Sequence, residues 1–215
     1  MKTFKMYPLG EFEIKSGEVI VSDPCYAIGT WCQGLVRNVK NGTWVADVAC
    51  LEGNLNTWDE GRNAFLVIHH KDYIMPMGTV WEQLDFDIGV DSGQAGFYDY
   101  AGYKKDDSVP NSIKNSLGFD LNESGEKFYA YNCDLTLKTD HDAGVLPTGA
   151  VASSGYGDGS YTVSVVKDEA GKVVAMEVIF IDVLGNTDEY GDPIEEEDDD
   201  YEDLLDLDLL TTEGD

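Results

Sequence analysis

The sequence predicts a mainly β, single-domain protein: an antiparallel β-sandwich or partly closed barrel with few short helices, followed by a disordered acidic C-terminal tail. Three observations support this fold class. Glycine occurs 23 times and separates short runs rich in β-branched and aromatic residues, which is typical of strands and turns. No stretch of a dozen residues repeats apolar side chains at helical spacing. Beyond Leu184 the composition changes abruptly to acidic residues.

Turn pairs and runs of β-branched and aromatic residues place the predicted strands along the chain. Residues 18–21 follow a Ser-Gly turn pair, and residues 43–48 follow Asn41-Gly42, a pair typical of hairpins. Further runs of β-branched and aromatic residues predict strands at 64–70, 86–90, 94–98 and 127–137.

The clearest element is a hairpin near the end of the domain, with strands at residues 161–165 and 173–181. The second strand carries apolar residues on both faces, as a central strand covered on both sides would. Helices should contribute little. One short helix is predicted at residues 111–117, because Pro110 suits a first helical turn and Ser108 can cap it.

Residues 186–215 differ from the rest of the chain in composition. They carry 15 of the 42 acidic residues and none of the 14 basic ones. Like charges at this density favour an extended, solvated chain, so we expect a globular domain over residues 1–185 and a flexible acidic tail over 186–215. The leucine–aspartate alternation at 204–210 is typical of segments that dock on a partner. A tail that only aids solubility is the alternative.

The formal net charge of -28 restricts the partners. A field of this sign repels nucleic acid and anionic lipid, and it attracts cations and basic proteins. We therefore expect neither direct nucleic-acid binding nor membrane binding. The candidate partners are a small-molecule ligand and a basic protein.

Cysteine usage and the N-terminus both point to the cytoplasm. The four cysteines lie at wide, irregular spacing with no Cys-x-x-Cys pair, which favours reduced, structural thiols. The first residues lack the apolar run of a signal peptide, and no stretch approaches the roughly 20 apolar residues that span a bilayer. We therefore expect a cytoplasmic protein.

Three clusters of glycine, serine and aspartate lie at the ends of predicted strands, at residues 22–26, 91–99 and 153–161. Small residues let backbone N–H groups approach a ligand, and a nearby carboxylate can hold a cation or take a proton. The same residue types also form ordinary turns, and spacing alone favours turns. The aromatic residues nearest these clusters are Tyr26, Trp31, Tyr98 and Tyr156.

At these clusters the sequence resembles the family called domain of unknown function 4241. The similarity lies in an SG-x-V-x-V-x-DP run at residues 16–24, a VD-x-G-x-A-x-F-x-D run at 90–99 and a GDGSY-x-V run at 157–163. The three runs keep their order and cover most of residues 16–182. The resemblance implies a compact β-rich domain of bacteria and their phages, and it brings no established activity, cofactor or catalytic residue.

The matching runs contain Asp23, Asp91, Asp99 and Asp158, which we take as a candidate constellation. No catalytic residue follows from them. A divalent cation is the one candidate cofactor, with Asp91 and Asp158 as its candidate ligands. The full set of ligand-binding candidates is Asp23, Tyr26, Asp91, Ser92, Gly93, Asp99, Gly157, Asp158 and Gly159.

Familiar catalytic motifs do not occur in the sequence. It has no nucleophile elbow, no P-loop, no dinucleotide fingerprint and no His-Glu-x-x-His. His69 and His70 are neighbours in a predicted strand and should point to opposite faces, so they cannot share one ion. His141 lies between Asp140 and Asp142, a group that could bind a divalent metal weakly, but a solvated loop is favoured.

Three functions remain open at this stage. The first is a non-enzymatic binding module for a small ligand or a protein partner, in a bacterial or phage setting such as defence or counter-defence. It is favoured because no nucleophile–base pair is recognisable. The second is a metal-dependent hydrolase that uses clustered aspartates. The third is a decoy whose acidic tail mimics a nucleic-acid backbone.

Overall fold

A computed structural model describes residues 3–52, 59–76 and 78–183 of the chain. The predicted tail at 186–215, with its leucine–aspartate segment, lies outside the described residues. Its flexibility, its partners and the domain boundary at residue 185 therefore stay predictions.

Within the described ranges the chain forms eleven strands, one α-helix and one 3₁₀ turn, Asp106–Ser108. The elements are β1 (Thr3–Ile14), β2 (Glu18–Ser22), β3 (Gly34–Arg37), β4 (Gly42–Glu52), β5 (Asn63–His70), β6 (Glu82–Val90), β7 (Gln94–Asp99), α1 (Glu126–Lys138), β8 (Ala143–Leu146), β9 (Gly149–Ser153), β10 (Gly159–Lys167) and β11 (Val173–Ile179).

The strands form two antiparallel sheets. One sheet has six strands in the order β1-β4-β5-β11-β10-β6, and the other has five in the order β3-β2-β7-β9-β8. Neither closes into a barrel. The mainly β prediction is confirmed, and of its two forms the open sandwich is the one observed.

The main core lies between the sheets. Trp44, Leu66 and Met176 of the six-stranded sheet are fully buried there, together with Val21 and Phe97 of the five-stranded sheet. Side chains alternate between the two faces of a strand. The pairing register therefore decides which residues enter this core and which lie on the outer faces.

Most predicted strands are confirmed, and the structure adds β1, β3, β8 and β9, which the sequence did not indicate. Asn41-Gly42 does not make a hairpin. The strand before it, β3, belongs to the five-stranded sheet, and the strand after it, β4, belongs to the six-stranded sheet. The turn pair therefore carries the chain from one sheet to the other.

The predicted strand at residues 127–137 is wrong, because this segment is the helix α1. Part of its buried face is polar: Asn132 accepts a hydrogen bond from the Tyr98 hydroxyl at 2.9 Å, and the Thr136 hydroxyl lies 3.2 Å from Gln94 Oε1. Polar residues at buried helical positions hide the helical spacing of apolar residues. Neither helical segment in the described part of the chain has the length and apolar character needed to cross a membrane.

The predicted helix at residues 111–117 is also wrong. Asn115 has φ of 49°, outside the right-handed helical region. The backbone N–H groups of Lys114, Asn115 and Ser116 donate to the Asp134 carboxylate at 2.8, 2.8 and 3.0 Å. The segment therefore wraps around a carboxylate of α1.

Strand β11 lies inside the six-stranded sheet, between β5 and β10, as the apolar pattern predicts. On the face away from the core, Glu177 stands opposite Ser164 of β10. Burial raises the pKa of Glu177 from 4.5 to about 7, and a hydrogen bond with Ser164 acts in the opposite direction. Between pH 4.5 and about 7 the folded protein thus holds a proton that the unfolded chain has released.

Glu177→Gln is expected to change how stability depends on pH. The folded state becomes less stable as the pH rises from 4.5 to about 7, because the half-buried Glu177 carboxyl must ionise there. Gln cannot ionise, so at about pH 8 the variant should be more stable by roughly 2 kcal/mol, a value reduced to allow for partial exposure. At pH 4.5 the two proteins should differ little. Urea unfolding at both pH values measures the difference, and an equal difference at both would contradict the prediction. The control is Glu169→Gln, an exposed carboxylate in the β10–β11 loop.

Candidate functional site

A cleft lies where the loop between β2 and β3 meets strand β6 and the start of β10. Its cavity has a volume of about 490 Å³. Its lining consists of Tyr26, Thr30, Trp31 and Cys32 from the loop, Asp87, Gly89, Val90 and Asp91 from β6 and its end, and Asp158, Gly159 and Ser160 from the start of β10.

Pairing between β6 and β10 brings two of the predicted aspartates together. Val90, the last residue of β6, pairs with Gly159, the first residue of β10. Asp91 follows Val90 and Asp158 precedes Gly159, so both carboxylates stand at the same end of the strand pair. Both side chains are exposed and line the cleft.

One face of strand β6 lines the cleft. Asp87, Gly89 and Asp91 lie two residues apart and so share the face opposite to the buried Ile88. The Gly89 N–H donates to the Cys32 carbonyl at 3.0 Å. A Cβ on Gly89 would come within 2.9 Å of the Cys32 Cβ. Glycine at this position therefore lets the loop lie directly on an edge strand.

Trp31 is 92% exposed at the edge of the cleft, although its loop is well braced. The Gln33 side-chain oxygen accepts hydrogen bonds from the backbone N–H groups of Gly29 and Thr30 at 2.9 and 3.1 Å. The Gln33 amide group donates to the Tyr103 hydroxyl at 3.1 Å. These hydrogen bonds fix the loop backbone next to Trp31, while the indole itself stays exposed to solvent.

The Tyr103 hydroxyl supports the same loop from below. Tyr103 is 1% exposed, and its hydroxyl lies 3.0 Å from the Asp23 carbonyl oxygen and 2.8 Å from that of Tyr26. The Ser22 hydroxyl lies 3.1 Å from it. The base of the β2–β3 loop is thus joined to a residue that packs under α1.

Asp23 does not face the cleft. It is fully buried, and its carboxylate accepts hydrogen bonds from the backbone N–H groups of Cys25, Asp91 and Ser92 at 2.8, 2.9 and 2.7 Å. The Ser92 hydroxyl donates to it at 2.6 Å. With these four donors Asp23 ties the β2–β3 loop to the β6–β7 turn.

Asp99 is also a structural residue, at a different place. It is 3% exposed, and its carboxylate accepts hydrogen bonds from the backbone N–H groups of Lys15 and Ser16 at 3.2 and 2.9 Å. The Ser16 hydroxyl donates to it at 2.5 Å. Asp99 therefore holds the β1–β2 turn. The four predicted aspartates do not form one constellation.

The remaining predicted residues divide in the same way. Tyr26 and Gly159 line the cleft. Gly93 and Gly157 have φ of 69° and 111° and shape turns that bond to Ser154. Of the aromatic residues near the clusters, Trp31 lines the cleft, Tyr98 is fully buried, and Tyr156 donates a hydrogen bond to Asp59.

Sequence reasoning missed Thr30, Cys32, Asp87 and Gly89, which also line the cleft, whereas Ser160 lies in the third cluster but was not among the candidates. A signal for Asp87 was present. In a strand that ends before Asp91, residues 89 and 87 fall on the same face as Asp91. No comparable signal marked the loop residues, because their positions depend on how the loop folds over β6.

Two ionisable groups of the loop, Cys25 and Tyr26, stay protonated at neutral pH. Burial raises the pKa of Tyr26 well above its usual value, and the neighbouring Cys32 and Asp91 add to the shift. Burial, with Asp23 beside it, raises the pKa of Cys25 to about 12. At neutral pH Tyr26 is therefore a neutral phenol, and Cys25 is a thiol.

Candidate metal ligands do not converge in the described ranges, where no three His, Cys, Asp or Glu side chains are grouped to hold an ion. His69 lies 3.9 Å from Asp47, whereas His70 lies 3.2 Å from the Asn41 carbonyl oxygen, as expected for opposite faces. His141 is not fully solvated, because it stacks on Tyr7 with ring centroids 3.9 Å apart.

Substitutions of the four aspartates should separate the structural pair from the cleft pair. Asp23→Ala leaves buried N–H groups without an acceptor and is expected to lower the free energy of unfolding by about 3 kcal/mol. Asp99→Ala should act in the same direction. Asp91→Ala and Asp158→Ala remove exposed carboxylates and should each change it by less than about 1 kcal/mol. Urea unfolding tests all four, and a cleft variant as unstable as Asp23→Ala would contradict this division.

Comparison with known proteins identifies a family. No curated protein and no solved structure matches the chain. A family model described as a protein of unknown function, DUF4241, matches residues 12–178. That segment includes every residue that lines the cleft, together with Asp23 and Asp99. The chain therefore belongs to the DUF4241 family of proteins of unknown function.

Proposed function

We propose that this domain is a non-enzymatic binding module that holds a small ligand in the cleft between the β2–β3 loop and strands β6 and β10. The observation that carries the proposal is the 92% exposure of Trp31 on a braced loop at the edge of the cavity. Exposing a large aromatic side chain is unfavourable in water. Rigid, exposed tryptophan is enriched where proteins bind partners and ligands.

The size and rigidity of the cleft support this proposal. Its volume of about 490 Å³ falls within the roughly 300–1,000 Å³ of sites for small molecules. Hydrogen bonds of Gln33 and Asp23 fix the loop and the adjoining turn before any ligand arrives. A preformed site loses less conformational entropy on binding, which favours affinity.

The groups in the cleft favour binding over nucleophilic catalysis. Thr30, Cys32 and Ser160 supply hydroxyl and thiol groups, but no histidine or lysine is among the lining residues to take a proton from them. Tyr26 is protonated at neutral pH and cannot act as a base. The lining thus lacks a histidine- or lysine-activated nucleophile.

The geometry supports the metal-dependent hydrolase less well. That function needs several carboxylates around one cation. The Asp23 and Asp99 carboxylates are engaged by backbone N–H groups of the chain itself. Only Asp91 and Asp158 of the original four line the cleft.

A cytoplasmic location in bacteria or their phages belongs to the same proposal. All four cysteines are unpaired, and three of them are buried. Unpaired cysteines are typical of reducing compartments. The family resemblance supplies the bacterial or phage setting, in which the binding module would serve defence or counter-defence.

Trp31→Ala is expected to abolish or weaken ligand binding without destabilising the fold. A thermal-shift screen of the full chain against a metabolite library should yield ligands for the wild-type protein. For these, Trp31→Ala should raise the dissociation constant at least about tenfold, or about 1.4 kcal/mol. Its melting temperature without ligand should stay close to the wild-type value, because the indole is 92% exposed.

The control is Leu117→Ala, which removes an exposed apolar side chain outside the cleft. It should leave both affinity and stability unchanged. A screen without any ligand, or ligands that bind Trp31→Ala as tightly as the wild type, would overturn the proposal.

A further inference from the structure

The charge of the cleft is one-sided. Asp87, Asp91 and Asp158 contribute three exposed carboxylates, and none of the lining residues is basic. In the part of the chain that the structure describes, no lysine, arginine or histidine lies within 4.0 Å of these three carboxylates. Other exposed carboxylates, such as Glu11 and Glu82, do pair with lysines. The cleft therefore concentrates negative charge that the protein does not neutralise itself.

An aromatic surface stands beside this charge. Trp31 lines the same cavity as the three aspartates, and its indole is exposed. An organic cation over the face of a tryptophan ring is attracted by the ring's electron density, and tryptophan is the best of the aromatic side chains for this contact. Trp31 and the three aspartates of the cleft thus both favour a cationic ligand.

The backbone position of Asp91 is also fixed, because its N–H donates to the Asp23 carboxylate at 2.9 Å. The Asp91 side chain itself is exposed in the cleft, where Tyr26 also lines the cavity. Asp91 can still accept further hydrogen bonds, since a carboxylate offers about four lone-pair sites. A ligand with several N–H donors could use those positions, whereas phosphate or carboxylate ligands would meet repulsion.

A bare metal ion fits the cleft less well than an organic cation. No three acidic, histidine or cysteine side chains are grouped around one point in the described residues. A cavity of about 490 Å³ is much larger than a single ion needs. Both the volume and the exposed indole are accounted for by a ligand with an apolar body and a cationic head.

We infer that the cleft binds a small organic cation, with a primary ammonium or guanidinium group between Asp91 and Asp158 and an apolar body against Trp31. This inference rests on the proposed function and adds the chemical class of the ligand. It predicts that binding depends on the positive charge of the ligand and on salt.

The test uses ligands that share one body and differ in charge. Tryptamine, tryptophol and indole-3-acetate carry a positive, neutral and negative group on the same indole-ethyl or indole-methyl frame, and phenethylamine, 2-phenylethanol and phenylacetate repeat the series. Agmatine supplies a guanidinium group. Titration calorimetry of the full chain should show at least about tenfold tighter binding of the cation than of its neutral analogue, and no detectable binding of the anion. Raising the salt from about 0.05 M to about 0.3 M should weaken cation binding.

Charge-neutralised variants complete the test. The double variant Asp91→Asn, Asp158→Asn should lose at least about tenfold in affinity for the cation and change little for the neutral analogue. Asp85→Asn is the control, because Asp85 is an exposed carboxylate of β6 that does not line the cleft. Mg²⁺ and Ca²⁺ at matched ionic strength should not displace the organic cation.

The outcomes separate the ligand class from the function. Equal binding of cation and neutral analogue, or unchanged cation binding by the double variant, would overturn the organic-cation inference. A second outcome is that the cations fail to bind while the screen yields a neutral or anionic ligand whose binding is lost in Trp31→Ala. In that case this inference is wrong and the proposed binding function stands. If neither the cations nor the screen gives a ligand, both are wrong.

Discussion

The buried carboxylate of Asp23 is the interaction on which the rest of the site depends. It receives hydrogen bonds from its own loop, through Cys25, and from the β6–β7 turn, through Asp91 and Ser92. The loop leaves the five-stranded sheet, whereas β6 belongs to the six-stranded one. One side chain thereby joins the two sheets at the cleft. Hydrogen bonds to a buried charge are stronger than those between neutral groups, and leaving such donors unpaired is costly. Removing the Asp23 carboxylate would take away the acceptor of these donors, and with it a link between the loop and the turn beside the cleft.

The position of Trp31 follows from the loop that carries it, which covers the edge of strand β6. Strand β6 is an edge of its sheet, and edge strands need protection from unwanted pairing. The β2–β3 loop covers this edge by accepting the Gly89 N–H at Cys32. Gln33 and Tyr103 fix the same loop from inside. The hydrogen bonds that hold the loop serve the fold, and Trp31 on the same loop is exposed to solvent. The β2–β3 loop thus both covers the edge of β6 and carries the exposed Trp31.

The wrong predictions at residues 111–117 and 127–137 have one physical cause, which is that buried polar groups find partners elsewhere in the chain. Asn132 and Thr136 occupy buried positions of α1 because Tyr98 and Gln94 of β7 bond to them. Asp106 accepts from the N–H groups of Gly125 and Phe128 and so caps the same helix from a distant segment. Patterns of apolar residues cannot report such contacts, so the helix resembled a strand. Likewise, residues 111–117 form a loop instead of the predicted helix, because backbone N–H groups of this segment donate to the Asp134 carboxylate.

The sequence by itself determined the β class, seven of the strands and the family, because alternation and turn chemistry are local properties that short runs of residues carry. It also marked Tyr26, Trp31, Asp91, Asp158 and Gly159, which line the cleft. It did not distinguish them from Asp23 and Asp99, since an aspartate that binds backbone N–H groups and one that faces a cavity occur in the same Gly- and Ser-rich runs. Only the tertiary structure decided this, through the strand register that places Asp91 beside Asp158 and through the burial that commits Asp23 and Asp99 to the fold. Burial and register depend on contacts between distant parts of the chain, and these exist only once both sheets have formed.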